Sequence, residues 1–411
     1  MLTDPRWRNP ALAALALLAL LAGALGMVLG ARQDDGARPA ADLPEPRRVK
    51  PEERVSFLAR IIPPAPGPGS AASDVPAGVS ARLQRLSLER KVAQLFLYGF
   101  TGQDPSAAGV RRPEQLDTGG IVVAGPNYAG ADALRGLAAG LSRTGRGRVP
   151  PFVMTIQEGG ELSSFPDLPP AEAPADLPSP REAGRQTLQS ARTLSGLNVT
   201  GVLGPSLDVG LESGSALGAR VYSDDPEEVA AYAKATVRAH ESARVFSAAK
   251  HFPGLGSADQ STQDGPATVG LDLPELRERD LIPFRTAIDS GVPGIVLSNA
   301  LYPFSDFTVP ASLSPRVGRD LLRDELGFDG VAITDDLSDP AITALTTVSA
   351  AAVEALRAGA DMLFISGPEG DQRAAYAAVL SAVRAGRVSR DRVDEAVERI
   401  LMAKRRYRVL R

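Results

Sequence analysis

The sequence predicts a parallel (β/α)8 barrel of the TIM type, set behind an apolar N-terminal segment and a proline-rich tether. Three observations predict it. From about Ala81 onward, short apolar runs alternate with longer amphipathic ones. The short runs are apolar throughout, as expected of strands covered on both faces in a parallel sheet. Eight such units follow one another over about 330 residues, within the range of a closed barrel domain. A doubly wound open sheet is the alternative, but its glycine-rich nucleotide fingerprint is absent. Gly254-Leu255-Gly256 is followed by Asp259 where the third glycine should sit. Neither a Walker-type loop nor a G-x-S-x-G elbow occurs.

The elements are justified in chain order. Asn9 to Ala31 is an uncharged run of 23 residues dominated by Ala and Leu. About 20 such residues cross a bilayer as a helix. Arg6 and Arg8 precede it, and Asp34 and Asp35 follow. That asymmetry predicts a cytoplasmic N-terminus and an exported remainder, a single-pass protein of the cell membrane with its domain outside. A cleaved secretory signal, giving a secreted protein, is the other reading. Residues 32–79 form a Pro/Ala-rich linker. Its Pro63-Pro64-Ala65-Pro66-Gly67-Pro68-Gly69 stretch holds neither a helix nor a central strand. Within it, Arg54–Ile62 is expected to form a short helix. The barrel domain is expected over 81–411.

Eight strands are predicted there: Leu95–Phe100, Gly120–Ala124, Phe152–Thr155, Gly201–Gly204, Phe246–Phe252, Gly294–Asn299, Gly330–Thr334 and Met362–Ser366. Helices are predicted between them over Gly130–Ser142, Arg181–Leu194, Pro226–Ser242, Pro274–Ser290, Pro315–Leu326, Val348–Ala358 and Gln372–Ala385. A last helix, Arg390–Tyr407, closes the chain. Asp224-Asp225-Pro226-Glu227-Glu228 is a typical helix start, with a capping acid before proline and acids in the first turn.

Composition narrows the chemistry. The chain has 411 residues, no cysteine, two histidines and a net charge of −4. Without cysteine there are no disulfides, thiolate metal sites, cysteine nucleophile or cysteine-borne lipid anchor. His240 and His251 alone leave little basis for a histidine-built metal site, so no metal or cofactor is expected. An acidic balance argues against a nucleic-acid partner. Arginine outnumbers lysine 40 to 5, so a lysine at a strand end is the more informative cation.

Barrel enzymes carry their chemistry at the C-terminal ends of the strands. Those ends hold Gln157-Glu158 after strand 3, Asp208 after strand 4 and Lys250-His251 on strand 5. Strand 6 ends in Ser298-Asn299 and strand 7 in Asp335-Asp336. Polar residues converging there point to a ligand site. Asp336 reads as a cap in the loop after strand 7. Lys250 reads either as a ligand-binding cation or as the partner of a buried carboxylate such as Glu158 or Asp208. A Schiff-base lyase built on Lys250 is a further class.

Several segments resemble glycoside hydrolase family 3, in its β-N-acetylhexosaminidase-like branch. Lys250-His251-Phe252-Pro253-Gly254-Leu255-Gly256 is similar to the family's K-H-F-P-G-x-G signature. Leu86–Phe96 resembles its opening helix. Gln157-Glu158-Gly159-Gly160 resembles its D-Q-E-G-G loop. Gly204–Val209 resembles its A-P-x-L-D-V strand, and Gly218-Ala219-Arg220 with Tyr222 its G-x-R-x-[FY] loop. Leu326–Ser338 is similar to the nucleophile segment, and Ala358-Gly359-Ala360-Asp361 matches A-G-A-D. The resemblance runs from about Leu86 to Tyr407.

It implies a retaining double displacement, in which a carboxylate attacks the anomeric carbon while an acid protonates the leaving oxygen. By this resemblance Asp335 is the nucleophile, and Lys250, His251, Arg220, Glu158 and Asp208 bind the sugar. The family's acid–base is a histidine in a D-[ST]-H triplet, and the matching triplet here is Ser261-Thr262-Gln263. Glutamine does not titrate, so Asp264, or Asp259, is the sequence's candidate acid. Ile156, Glu161, Ala219, Leu255 and Asn299 also depart from the family pattern. The implied protein is a membrane-tethered glycoside hydrolase, expected as a monomer, that acts on a carbohydrate, with cell-wall glycan as one such substrate. A glycan-binding or scaffold domain without turnover is the alternative.

Overall fold

A computed structural model describes residues 75–103, 117–144, 149–305, 307 and 309–410. The segment Asn9–Ala31, the short helix Arg54–Ile62 and all of the tether before Val75 lie outside the described residues. Among the described residues, no helix is long and apolar enough to cross a membrane. The first described helix, Ala77–Arg85, begins within the expected tether. It buries Val79 and Leu86 against the rest of the domain.

Eight parallel strands follow: β1 Phe96–Gly99, β2 Gly120–Val122, β3 Phe152–Thr155, β4 Gly201–Val202, β5 Phe246–Phe252, β6 Gly294–Leu297, β7 Val331–Thr334 and β8 Leu363–Ile365. Every residue in them is buried, which is why each reads as an unbroken apolar run. They pair in the order β7-β6-β5-β4-β3-β2-β1-β8. Beside this ladder, Ile333 bridges Met362 and the Thr334 N–H donates to the Met362 carbonyl at 2.9 Å. The sheet thereby closes between β7 and β8, and the helices coat it. The predicted barrel is present, with strand ends trimmed by one or two residues.

Helix starts follow the expected chemistry. Asp225 caps Pro226–Ala243 by accepting from the Glu227 and Glu228 N–H groups. Ser179, Thr347 and Ser389 cap their helices in the same way. The single helix expected over Pro274–Ser290 is two, Leu273–Glu278 and Leu281–Asp289. The break falls at Arg279-Asp280, whose side chains turn into the domain instead of following the helix. Arg279 reaches the Val209 and Gly210 carbonyls, and Asp280 is fully buried. Residues Arg316–Glu325 are wound as a π-helix.

Candidate active site

β4 is short as a regular strand, but its pairing with β5 continues beyond Val202. The Lys250 N–H donates to the Pro205 carbonyl at 2.9 Å, and the Leu207 N–H donates to the Lys250 carbonyl at 2.6 Å. This continuation carries Asp208 to the side of His251. The register of β5 on β6 shifts between Ala249 and Phe252, across the Lys250-His251 step, and the peptide between those two residues is cis.

Asp208 is fully buried and satisfied on both oxygens. Oδ1 accepts from the N–H groups of His251, at 3.1 Å, and Leu255, at 2.7 Å. Oδ2 pairs with His251 Nδ1 at 2.7 Å and accepts from the Ser206 hydroxyl at 2.9 Å. Burial pushes this carboxyl upward, but the charge and hydrogen bond of His251 and the two backbone donors together hold it below the ordinary range. The imidazole is thus fixed at Nδ1, and its Nε2 lies 3.9 Å from Asp335 Oδ2. Leu255 contributes its backbone N–H, so its apolar side chain leaves this support intact and packs into the core.

The signature glycines have steric reasons. Gly254 has φ +133, and a Cβ there would lie 2.5 Å from Asp280. At Gly256 a Cβ would lie 1.9 Å from the Val209 carbonyl oxygen. The turn after β5 therefore sits directly on the β4 loop and on Asp280. Burial, with a further push from Asp208, raises Asp280 to about 7, although Arg279 pairs with it at 3.0 Å.

Across the mouth, Glu158 follows β3 with its side chain buried. Its Oε2 accepts from Lys250 Nζ at 3.0 Å and from Arg220 Nε at 3.3 Å. Its Oε1 has no hydrogen-bond partner among the described residues. Lys250 thus does pair with a carboxylate, and that carboxylate belongs to the same strand-end cluster. Ile156 is partly buried against the core, whereas Glu161 and Ala219 face solvent.

Asp335 continues the β7–β6 ladder, donating its N–H to the Leu297 carbonyl at 2.9 Å. Its carboxyl, 19% exposed, is the accessible one at this strand end. Asp336 is buried. Its Oδ1 accepts from the Ser338 and Ser366 N–H groups at 2.9 and 3.0 Å, tying the β7 loop to β8. The cap expected of Asp336 is therefore a loop tie, and the N-cap position of helix Pro340–Thr343 falls to Asp339. Asn299 donates to the Asp336 carbonyl at 2.7 Å and accepts from the Ser312 hydroxyl at 2.7 Å. Asp339 is half-buried, and is pushed up to about 9 by burial and by the nearby charges of Asp335 and Asp336.

The two acid candidates after β5 lie apart from this cluster. Asp259 is exposed and accepts from the Thr268 N–H at 2.7 Å within its own loop. Asp264 and Gln263 are exposed in a turn organised by Ser261. The fold brings together Glu158, Asp208, Arg220, Lys250 and His251, with Asp335 beside His251; it leaves Asp264 and Asp259 at the surface. Asp339 and Asp280 were missed in the sequence. For Asp339 the available signal was a third carboxylate four residues beyond the first of Asp335-Asp336. For Asp280 there was none, because it sits within an amphipathic helical pattern.

A family model described as the glycosyl hydrolase family 3 N terminal domain matches residues 87–403. The chain is 30% identical over 338 residues to an uncharacterized secreted glycosyl hydrolase of Arthroderma benhamiae, covering 79% of this chain and 95% of that relative. It is 31% identical over 287 residues to a beta-hexosaminidase of Stenotrophomonas maltophilia, covering 67% and 84%. Among solved structures it resembles a glycoside hydrolase family 3 beta-N-acetylglucosaminidase from Paenibacillus, with a TM-score of 0.76 and 33% identity. That match covers 79% of this chain but 63% of the Paenibacillus chain, so the present chain spans less than two thirds of that protein. The matched stretch contains all eight strands and the whole strand-end cluster, and the chain belongs to glycoside hydrolase family 3.

Proposed function

We propose that the barrel hydrolyses a β-glycosidic bond with retention, taking a β-hexosaminide as substrate, with Asp335 as nucleophile. The observation that carries this reading is the pairing of a partly exposed Asp335 carboxyl with an imidazole fixed by Asp208. In a retaining enzyme a carboxylate on a rigid element attacks the anomeric carbon and forms a covalent glycosyl-enzyme, which water then resolves. Asp335 is held by the strand ladder and has the required chemistry. His251, oriented by Asp208, donates to a sugar hydroxyl over the nucleophile. Lys250 and Arg220, both held by Glu158, supply further polar contacts to the ring. The names of the similar proteins support a hexosaminide. Ile156, apolar where the family has an aspartate, leaves the ring with one polar contact fewer.

The test is turnover of aryl β-glycosides, including 4-nitrophenyl N-acetyl-β-glucosaminide, with labelling by the matching fluorosugar. The expected outcome is release of nitrophenol and a covalent adduct on the Asp335 peptide, both lost in D335N. A protein that binds the glycan without turnover or adduct would sink the reading and leave a glycan-binding domain.

For location, the proposal is an exported domain. The apolar segment Asn9–Ala31 either holds it at the cell membrane or is removed to release it, and the secreted relative supports the second outcome. Fractionation with intact-mass measurement of the mature protein decides between them. Soluble full-length protein in the cytoplasm would refute export altogether.

A further inference from the structure

We propose that Asp339 is the acid–base residue of this barrel, taking the place that the non-titrating Ser261-Thr262-Gln263 loop leaves open. The assignment rests on the hydrolase reading above, with Asp335 as nucleophile. Four observations on different atoms support it.

First, the β7 loop folds back on itself. The Asp339 N–H donates to the Asp336 carbonyl at 3.0 Å, closing a four-residue turn from Asp336 to Asp339. This brings the Asp339 side chain back toward the strand end that carries Asp335. Second, Asp339 occupies the N-cap position of helix Pro340–Thr343, yet its side chain caps nothing. Aspartate at that position ordinarily accepts from the first-turn N–H groups. Here it faces the buried Asn299 side chain at the end of β6 and feels the Asp335 and Asp336 carboxyls. Asn299 is itself fixed by the Asp336 carbonyl and Ser312, so the amide that Asp339 faces is held in place.

Third, the β5 loop closes onto the segment that carries Asp339. The Ala341 N–H donates to the Thr262 carbonyl at 3.1 Å, one residue before Gln263. Asp339 stands two residues before that junction and is half-buried, while Asp264 is exposed on the turn beyond it. Fourth, the environment of Asp339 favours its protonated form. Asp339 is half-buried and faces the negative charges of Asp335 and Asp336, so it retains its proton at neutral pH. A retained proton on one carboxyl beside a second, partly exposed one is the division of labour that retaining glycosidases use.

The step balances. An Asp335 oxygen bonds to the anomeric carbon as the bond from that carbon to the leaving oxygen breaks. The leaving oxygen takes the Asp339 proton and departs as an alcohol. Water then attacks the anomeric carbon, gives one proton to the Asp339 carboxylate, and frees Asp335.

The experiment uses the full chain and its D339N, D339A and D264N variants. Each is assayed on 4-nitrophenyl N-acetyl-β-glucosaminide and on the methyl glycoside, with circular dichroism as a check of folding. With D339N, turnover of the methyl glycoside should fall about 10²–10⁴-fold, the usual range for a lost acid–base. The nitrophenyl substrate, which needs less protonation, should form its glycosyl-enzyme at nearly the wild-type rate. The high-pH limb of the wild-type profile should disappear. Azide should restore turnover in D339A and yield the β-glycosyl azide. Loss of the high-pH limb and azide rescue in D264N rather than in the Asp339 variants would overturn the assignment. So would a folded D339N with unchanged leaving-group dependence. If D339A and D339N both fail to fold, a wild-type profile without a titrating high-pH limb overturns it. Wild-type protein without turnover or Asp335 labelling would instead overturn the hydrolase reading itself.

Discussion

Asp208 and Asp280 are buried carboxyls on neighbouring loops, pushed in opposite directions. Asp208 is held low by His251 and two backbone N–H groups despite its burial, so its stabilising contribution is present at neutral pH and is lost as pH falls below about 4. Asp280 is raised to about 7 by burial. Between about pH 4 and 7 the unfolded chain gives up a proton there that the folded chain keeps, so stability falls as pH rises through that window. At roughly 1.4 kcal/mol per unit, the loss is on the order of 4 kcal/mol. Replacing Asp280 by asparagine removes this slope. Urea unfolding of wild type and D280N should show their stability difference shifting by about that amount between pH 4 and 8, in favour of D280N at the higher pH. A difference that stays constant across the range would refute the assignment. At this scale the sequence announced the residues with a motif around them: Lys250 and His251 in one signature, Asp335 in another. It was silent on Asp280 and Asp339, whose surroundings are made by segments distant in the chain.

Among the elements, those that face one environment along their length were legible. β3, β5 and the helix Val348–Ala358 have the predicted bounds, because an all-buried strand and a one-faced helix leave a single periodicity to read. The helix expected over Pro274–Ser290 was not legible as two pieces. Its apolar spacing continues through the break, and the reason for the break lies in other loops. Arg279 is drawn to the Val209 and Gly210 carbonyls, and Asp280 packs against Gly254. The π winding of Arg316–Glu325 is similarly invisible to a pattern that assumes 3.6 residues per turn. Loop chemistry was legible only as composition. Asp336 reads as a cap from its position, and becomes a tie to β8 because Ser366 lies opposite it.

For the molecule as a whole, the seam between β7 and β8 depends on one residue. Asp361 of the A-G-A-D motif is fully buried. It accepts from Arg323 and Arg392 at 2.7 Å, from Arg399 at 3.2 Å and from the Ala332 N–H at 3.0 Å. Burial opposes its charge, but the three guanidinium groups hold its carboxyl low. The motif's aspartate is therefore a structural hub, at the opposite end of its strand from the chemistry. D361N leaves three arginines without their counter-charge, and loss of one member of such a buried group costs about 3–5 kcal/mol. Urea unfolding at pH 7 is expected to show that loss, and a change under 1 kcal/mol, the usual worth of an exposed ion pair, would refute the hub.

The last helix, Arg390–Arg406, supplies two of those arginines, and its buried Lys404 donates to Gln94, just before β1, at 2.7 Å. Tyr407, directly after it, reaches Glu241 at 2.6 Å. This helix and Tyr407 thus tie the segment before β1, the helix Pro226–Ala243 and the β7–β8 seam together. During synthesis the seam gains its Arg392 and Arg399 contacts to Asp361 only after this helix has left the ribosome, about thirty residues behind β8. Until then Asp361 has Arg323 as its guanidinium partner, and the closing edge of the barrel waits on a helix made after all eight strands.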